Sequence, residues 1–227
     1  MPLRPRRGDA ATELSELDPE ERAVWERYIT TGLHAFLFVD HVMGEYTVRQ
    51  VVDELQLQVP YWDGDGSSEL EGFSWEPEEV VVLAASEYVG RYKAFVHLWA
   101  PRGALDQLQD FIAGPLWELG CRCEYGLQGT AYQGPAGQIF ALKVKRCDVV
   151  ALVQIWAKPG KADGLPAKLA SLPGFEGAAT VLGGFDVLLV LEGGSIEDVA
   201  ATVAGPLQQI KGIARTESAY ADYRRYH

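Results

Sequence analysis

The stretch that decides the fold is LGGFDVLLVL, residues 182–191. A Gly-Gly-Phe-Asp turn leads into five consecutive apolar residues, 187–191, so both faces of the predicted strand are apolar. In a similar way, Ala151, Val153 and Ile155 alternate with Val150, Leu152 and Trp156. Helices can cover only one face of such a sheet, so something apolar must cover the other. The pattern therefore predicts two sheets packed face to face.

The second sheet is predicted to come from the same chain, because the sequence contains an internal repeat. Gly114-Pro115-Leu116 and Gly205-Pro206-Leu207 occupy the same place in two helical patterns of identical apolar register. The matched apolar residues are Leu105, Leu108, Ile112, Leu116 and Leu119 in the first copy and Ile196, Val199, Val203, Leu207 and Ile210 in the second. Both prolines should kink or break their helix near its last turn.

Each copy has the element order β-α-β-β-α-β of a ferredoxin-like unit. The predicted fold class is therefore α+β, with two ferredoxin-like units packed sheet to sheet as an internal pseudo-dimer. We expect a basic tail and N-terminal helix at 1–32, a first unit at 33–133 with an acidic aromatic insertion at 58–77, a connector at 134–148, and a second unit at 149–227.

Composition excludes several classes of function. The 227 residues carry a net charge of −12, which disfavours direct binding of nucleic acid. No apolar run reaches the length of a membrane span, and the basic N-terminus lacks the apolar segment of a signal peptide, so we expect a cytoplasmic protein without membrane contact. The three cysteines have no zinc-type spacing, and Cys121 and Cys123 should face one side of a strand as core thiols.

The second copy carries a recognisable pattern in its last two strands. Residues 182–190 are followed by Ile210-Lys211-Gly212-Ile213-Ala214-Arg215-Thr216-Glu217-Ser218, and Lys158-Pro159-Gly160-Lys161 lies upstream. Over residues 149 to 220, the chain resembles the effector-binding (RAM) domain of Lrp/AsnC regulators. The resemblance implies a dimeric α+β barrel that senses a small molecule, typically an amino acid, without catalysis. We expect no helix-turn-helix of that family, because only about 30 residues precede the first predicted strand.

The resemblance also implies where a ligand would bind, since the turn before the second hairpin strand borders the effector pocket in that family. The implied ligand-binding residues are Gly183, Gly184, Phe185 and Asp186, with Gly90, Arg91 and Tyr92 at the matching turn of the first copy. Asp186 would meet the ligand's ammonium group, whereas the first copy has Lys93 at that position. The aromatic residues of the insertion either pin it to the barrel or form a lid over a pocket or partner surface; they are Tyr61, Trp62, Phe73 and Trp75.

No reactive constellation stands out, so we expect no catalytic residue, no metal and no cofactor. His34, His41, His97 and His227 have no paired spacing, and only His97 keeps an alternative role, as a haem ligand of the chlorite-dismutase type. The expected function is a non-catalytic regulatory or sensor protein that binds an amino-acid-like effector and lacks its own DNA-binding domain. Two alternatives stay open: an enzyme of the dimeric α+β barrel superfamily, and an acidic scaffold for a protein partner. Homo-oligomer formation and a protein partner stay open as well.

Overall fold

The computed structural model describes residues 31–43, 46–57, 80–128 and 149–222, together with positions 19 and 23. Within these residues, the element order β-α-β-β-α-β occurs twice. The insertion at 58–77, with its four aromatic candidates, and the connector at 134–148 lie outside the described residues.

The first unit contains five strands and three helical segments. They are β1 (Leu33–Val42), α1 (Val48–Leu57), β2 (Val81–Glu87), β3 (Val89–Gly90), β4 (Ala94–Ala100), α2 (Leu105–Ala113), α3 (Pro115–Glu118) and β5 (Cys121–Gln128).

The second unit repeats this order with a shorter first helix. It contains β6 (Val149–Ala157), a 3-10 turn (Ala162–Gly164), α4 (Leu165–Leu169), β7 (Phe175–Thr180), β8 (Leu182–Gly183), β9 (Val187–Gly193), α5 (Ile196–Ala204), a 3-10 turn (Pro206–Gln209) and β10 (Ile213–Asp222).

The helix before the last strand of each unit is broken at its Gly-Pro pair, as predicted. Gly114 has φ −99° and ψ −94°, and Gly205 has φ −105° and ψ −94°, which is far from helical geometry. The proline that follows begins a new short segment, because it has no N–H to donate to the preceding turn. The two helical patterns predicted around residues 105–119 and 196–210 are therefore each divided into two pieces by the same break.

The two sheets exchange short strands. Their orders are β2-β4-β1-β5-β8 and β7-β9-β6-β10-β3, and every pairing is antiparallel. In β8, Gly183 pairs with Gly126 of the first unit, and in β3, Gly90 pairs with Ala219 of the second. Gly183 has φ +152°, and a Cβ atom there would lie 2.3 Å from the Tyr125 carbonyl oxygen, so the exchange requires glycine.

The two sheets pack face to face, which confirms the predicted pseudo-dimer. Alternate strand residues face the helices of their own unit, and the others form one shared apolar layer. The shared layer comprises Phe36, Phe38, Tyr88, Tyr92 and Phe95 of the first unit and Val150, Leu152, Val181, Phe185, Leu188, Val190, Ala219 and Ala221 of the second. Phe38 and Phe185 meet edge to face across it, with ring centroids 5.5 Å apart.

Cys121 and Cys123 both face the helices of the first unit, as the alternation predicted. Burial raises the pKa of each thiol to about 12, so both stay protonated and unreactive at neutral pH. No helix among the described residues combines the length and the apolarity that crossing a membrane requires.

Candidate functional site

Polar side chains from both units meet where the exchanged turns cross the shared layer. The Tyr92 hydroxyl donates to Glu124 Oε2 at 2.7 Å and lies 3.0 Å from Glu217 Oε2. Glu124 on β5 and Glu217 on β10 occupy equivalent positions, each two residues before the residue that pairs with an exchanged strand. We call this group the inter-unit site and define it as Arg91, Tyr92, Glu124, Gln154 and Glu217.

Arg91 bridges the two carboxylates on the solvent side of the inter-unit site. Its Nη1 lies 2.5 Å from Glu217 Oε2, and its Nη2 lies 3.0 Å from Glu124 Oε1. The Arg91 side chain is 46% exposed, whereas Glu217 is only 18% exposed. Arg215 also pairs with Glu217 and stacks over the Trp156 ring. The two carboxylates of the site therefore face two guanidinium groups, Arg91 within the site and Arg215 beside it, and both of these side chains reach solvent.

Gln154 is the buried end of the site. It lies opposite Glu217 in the β6–β10 register and is fully buried. Neither its amide oxygen nor its amide nitrogen has a hydrogen-bond partner among the described residues, although it lies near enough to the Tyr92 hydroxyl to lower the pKa of that phenol. An unpaired buried amide destabilises a fold by roughly 1–3 kcal/mol. Both atoms are thus available to a bound molecule.

The Tyr92 phenol is protonated at neutral pH. Burial is the main reason that its pKa lies well above the ordinary value, and Glu124 raises it further through a hydrogen bond and its charge. Arg91 and Gln154 act in the opposite direction with a smaller effect. The site therefore combines a proton donor, two carboxylates that can accept protons, and a cation that can hold an anionic group.

Of the predicted ligand-binding residues, two belong to the inter-unit site and the others lie outside it. Arg91 and Tyr92 are part of it. Gly90 and Gly183 lie in the exchanged strands β3 and β8, where they pair with the other unit, and Phe185 is buried in the shared layer. The Gly184 carbonyl accepts a hydrogen bond from Trp156 Nε1 at 2.7 Å.

Asp186 has a structural partner. Its Oδ2 accepts a hydrogen bond from the Ala157 backbone N–H at 2.7 Å, which ties the turn to the end of β6. At the matching position, Lys93 Nζ donates to the Gly90 carbonyl at 2.8 Å. Asp186 is half-buried, and its contact with a ligand ammonium group stays a prediction.

A repeated sequence motif marks Glu124 and Glu217, the two glutamates that the turn motif did not indicate. Arg122-Cys123-Glu124 and Arg215-Thr216-Glu217 are the same Arg-x-Glu motif at equivalent positions of the two copies. Gln154 had no such signal, because only the strand register shows that it lies beside Glu217. No group of three or more His, Cys, Asp or Glu within the described part of the chain could hold a metal ion.

Comparison with solved structures identifies the fold of most of the chain. No family model and no curated protein sequence matches the chain. The siroheme decarboxylase NirDL, solved with an iron-uroporphyrin III analogue, is similar over 89% of this chain and 78% of its own, with 8% identity and a TM-score of 0.52. The chain has the dimeric α+β barrel fold. A putative chlorite dismutase is similar over 84% of this chain and 93% of its own (9% identity, TM-score 0.48), and E. coli AsnC over 33% and 51% (24% identity, TM-score 0.31).

The comparison corrects the expected function. The expectation of a non-catalytic sensor, and with it the expectation that the chain is not an enzyme, is wrong, because the solved structure that matches it over 89% of its length is an enzyme. The enzymatic alternative is better supported. The motif behind the wrong expectation is structural: Gly183 and Asp186 hold the exchanged turn in place. Such residues indicate the fold and do not distinguish a regulator from an enzyme.

Proposed function

We propose that this protein is an enzyme of the dimeric α+β barrel class that carries out acid–base chemistry at the inter-unit site. The observation that carries the proposal is the convergence of Glu124 and Glu217, from equivalent positions of two units, on the hydroxyl of Tyr92. The fold itself does not require that hydroxyl, because the second unit has Phe185 at the position of Tyr92.

Decarboxylation of a carboxylate-bearing substrate is the reaction class that these groups fit best. NirDL is named as a siroheme decarboxylase, which supports this choice of chemistry. A substrate carboxylate would bind Arg91 in exchange for one of its two glutamates. The bond between carbon and the carboxyl group would break, carbon dioxide would leave, and the electron pair left on carbon would take the proton of Tyr92. Solvent would then return a proton to Tyr92 through Glu124 or Glu217.

Gln154 would orient the substrate in this scheme. Its two unpaired amide atoms can donate to a substrate oxygen and accept from a substrate N–H or O–H group. The same groups could stabilise negative charge that develops on a carbonyl oxygen. We further propose that both units descend from a RAM-type domain of the Lrp/AsnC family, which the motif at residues 182–218 supports.

The proposal is tested by turnover of carboxylic acids. The purified protein is incubated with iron-uroporphyrin III and with a panel of small carboxylic acids, and carbon dioxide and product masses are measured. Tyr92→Phe should lower the rate roughly 100-fold or more, as loss of a general acid does. Tyr125→Phe is the matched control, because this phenol lies on the helix-facing side of β5. Absence of turnover with every acid, or full activity of Tyr92→Phe, would contradict the proposal.

A further inference from the structure

A second buried polar cluster lies in the first unit, away from the inter-unit site. His34 Nδ1 and His97 Nε2 are 3.0 Å apart, and each residue is 1% exposed. Gln128 lies opposite His34 in the β1–β5 register and is 7% exposed. His97 packs against Phe36 of the shared layer, with ring centroids 4.6 Å apart. We call His34, His97 and Gln128 the histidine cluster.

The fold does not need polar residues at these positions. The pseudo-symmetry of the two units places Val150, Val190 and Ala221 at the positions of His34, His97 and Gln128. These three residues are buried and apolar in the second unit. A buried polar atom without a partner destabilises a fold, whereas a methyl group at the same place stabilises it. His34 and Gln128 therefore lower the stability of the first unit relative to apolar residues at the same positions.

His34 and Gln128 have unused hydrogen-bonding capacity. Neither His34 Nε2 nor Gln128 Oε1 has a hydrogen-bond partner among the described residues. Burial lowers the pKa of His34 to about 4, although the backbone of Thr31 acts in the opposite direction. Burial also lowers the pKa of His97, and the charge of His34 adds to the effect. Both imidazoles are therefore neutral at physiological pH.

The chemistry of a fitting ligand follows from these groups. One proton is shared between Nδ1 of His34 and Nε2 of His97, so Nε2 of His34 is either a bare acceptor or an N–H donor, depending on the tautomer. A hydroxyl group fits both tautomers, because it can donate and accept. Where His34 Nε2 carries the proton, the hydroxyl can accept from it and donate to the Gln128 amide oxygen. Aromatic rings next to the cluster favour an uncharged aromatic body on the same molecule.

We propose that the histidine cluster is a second ligand-binding site, present in the first unit only, for an uncharged aromatic molecule that carries a hydroxyl group. The site lies at the edge of the shared layer, since His34 is the second residue of β1 and Gln128 the last residue of β5. It is independent of the proposed reaction at the inter-unit site.

Phenol is the probe that tests this proposal, and toluene is its control without a hydroxyl group. Phenol should bind the full chain in calorimetry and should shift the ring-nitrogen resonances of His34, while toluene should bind at least tenfold more weakly. The variant H34V/H97V/Q128A carries the residues of the second unit. It should unfold at a higher temperature than the wild type in the absence of phenol, and it should lose phenol binding. Tyr92→Phe should bind phenol as the wild type does.

Three outcomes would overturn the proposal. Equal binding of toluene would mean that the polar atoms play no part. A triple variant that unfolds at a lower temperature, or does not fold, would mean that the cluster supports the fold. Phenol that leaves the His34 resonances unchanged would mean that the unpaired atoms serve no ligand. Gln128→Ala, a smaller change, should by itself weaken phenol binding severalfold while the protein stays folded.

Discussion

The two buried histidines should make the stability of the protein depend on pH in a way that valine would not. Burial lowers the pKa of His34 from 6.5 to about 4, so between these pH values the unfolded chain binds a proton at His34 that the folded protein does not bind. Stability is therefore present above the unfolded value and is lost as the pH falls from about 6.5 towards 4. His97 acts in the same direction, because its pKa is also lowered by burial.

The size of the effect follows from the pKa difference. One pKa unit corresponds to about 1.36 kcal/mol, so His34 alone should reduce the free energy of unfolding by about 2 kcal/mol at about pH 5 and about 3 kcal/mol at about pH 4. His34 is almost completely buried, so solvent screening reduces this figure little. This amount is a sizeable share of the stability of an ordinary domain.

Urea unfolding followed by circular dichroism measures this effect directly. The wild type and H34V/H97V are compared at about pH 7.5 and about pH 5, where carboxylates contribute equally to both proteins. The wild type should lose at least about 2 kcal/mol more than the variant over this range. Equal losses of unfolding free energy in the two proteins would refute the conclusion that both histidines stay neutral in the folded protein.

Two further predictions concern the shared architecture. Leu189 is 0% exposed beneath the helices of the second unit, so Leu189→Asp buries a carboxylate and should lower the free energy of unfolding by several kcal/mol. Leu182→Asp, at a 76% exposed position, is the control and should change the thermal melt little. A stable Leu189→Asp protein would argue against the predicted sheet. Gly183→Ala places a Cβ atom against the Tyr125 carbonyl at a positive φ and should lower the free energy of unfolding by at least about 1–3 kcal/mol. Gly160→Ala, also at a positive φ but with open space around its Cβ, should lower it less. Equal losses of stability in the two variants would exclude the close approach to Tyr125 as the reason.

The sequence predicted the architecture from strands that are apolar on both faces and from a break that recurs in two helices. Residues 187–191 and the Gly-Pro pairs at 114 and 205 were sufficient for this, because sheet packing and helix breaking are decided by local patterns. The exchange of β3 and β8 between the sheets was not predicted, since two-residue strands leave no periodic signal.

The sites were harder to predict, because they depend on register between distant strands. Arg91 and Tyr92 were selected from the turn motif, but Glu124 and Glu217, which converge on Tyr92, lie 32 and 125 positions away from it. His34 and His97 lie 63 residues apart and meet only because β1 pairs with β4. Asp186 was singled out for its charge, and the structure shows that it ties down the turn.

A single-turnover reaction in heavy water tests the proposed acid–base role of the inter-unit site most directly. Iron-uroporphyrin III, or the carboxylic acid that is turned over fastest, is mixed with excess protein, and carbon dioxide and product mass are followed over time. The proposal predicts that the wild type releases carbon dioxide and places one deuterium on the carbon that lost it, and that Tyr92→Phe does so roughly 100-fold or more slowly while Tyr125→Phe keeps the wild-type rate. Equal rates in the three proteins, or no release of carbon dioxide, would contradict a proton-donating Tyr92 held between Glu124 and Glu217.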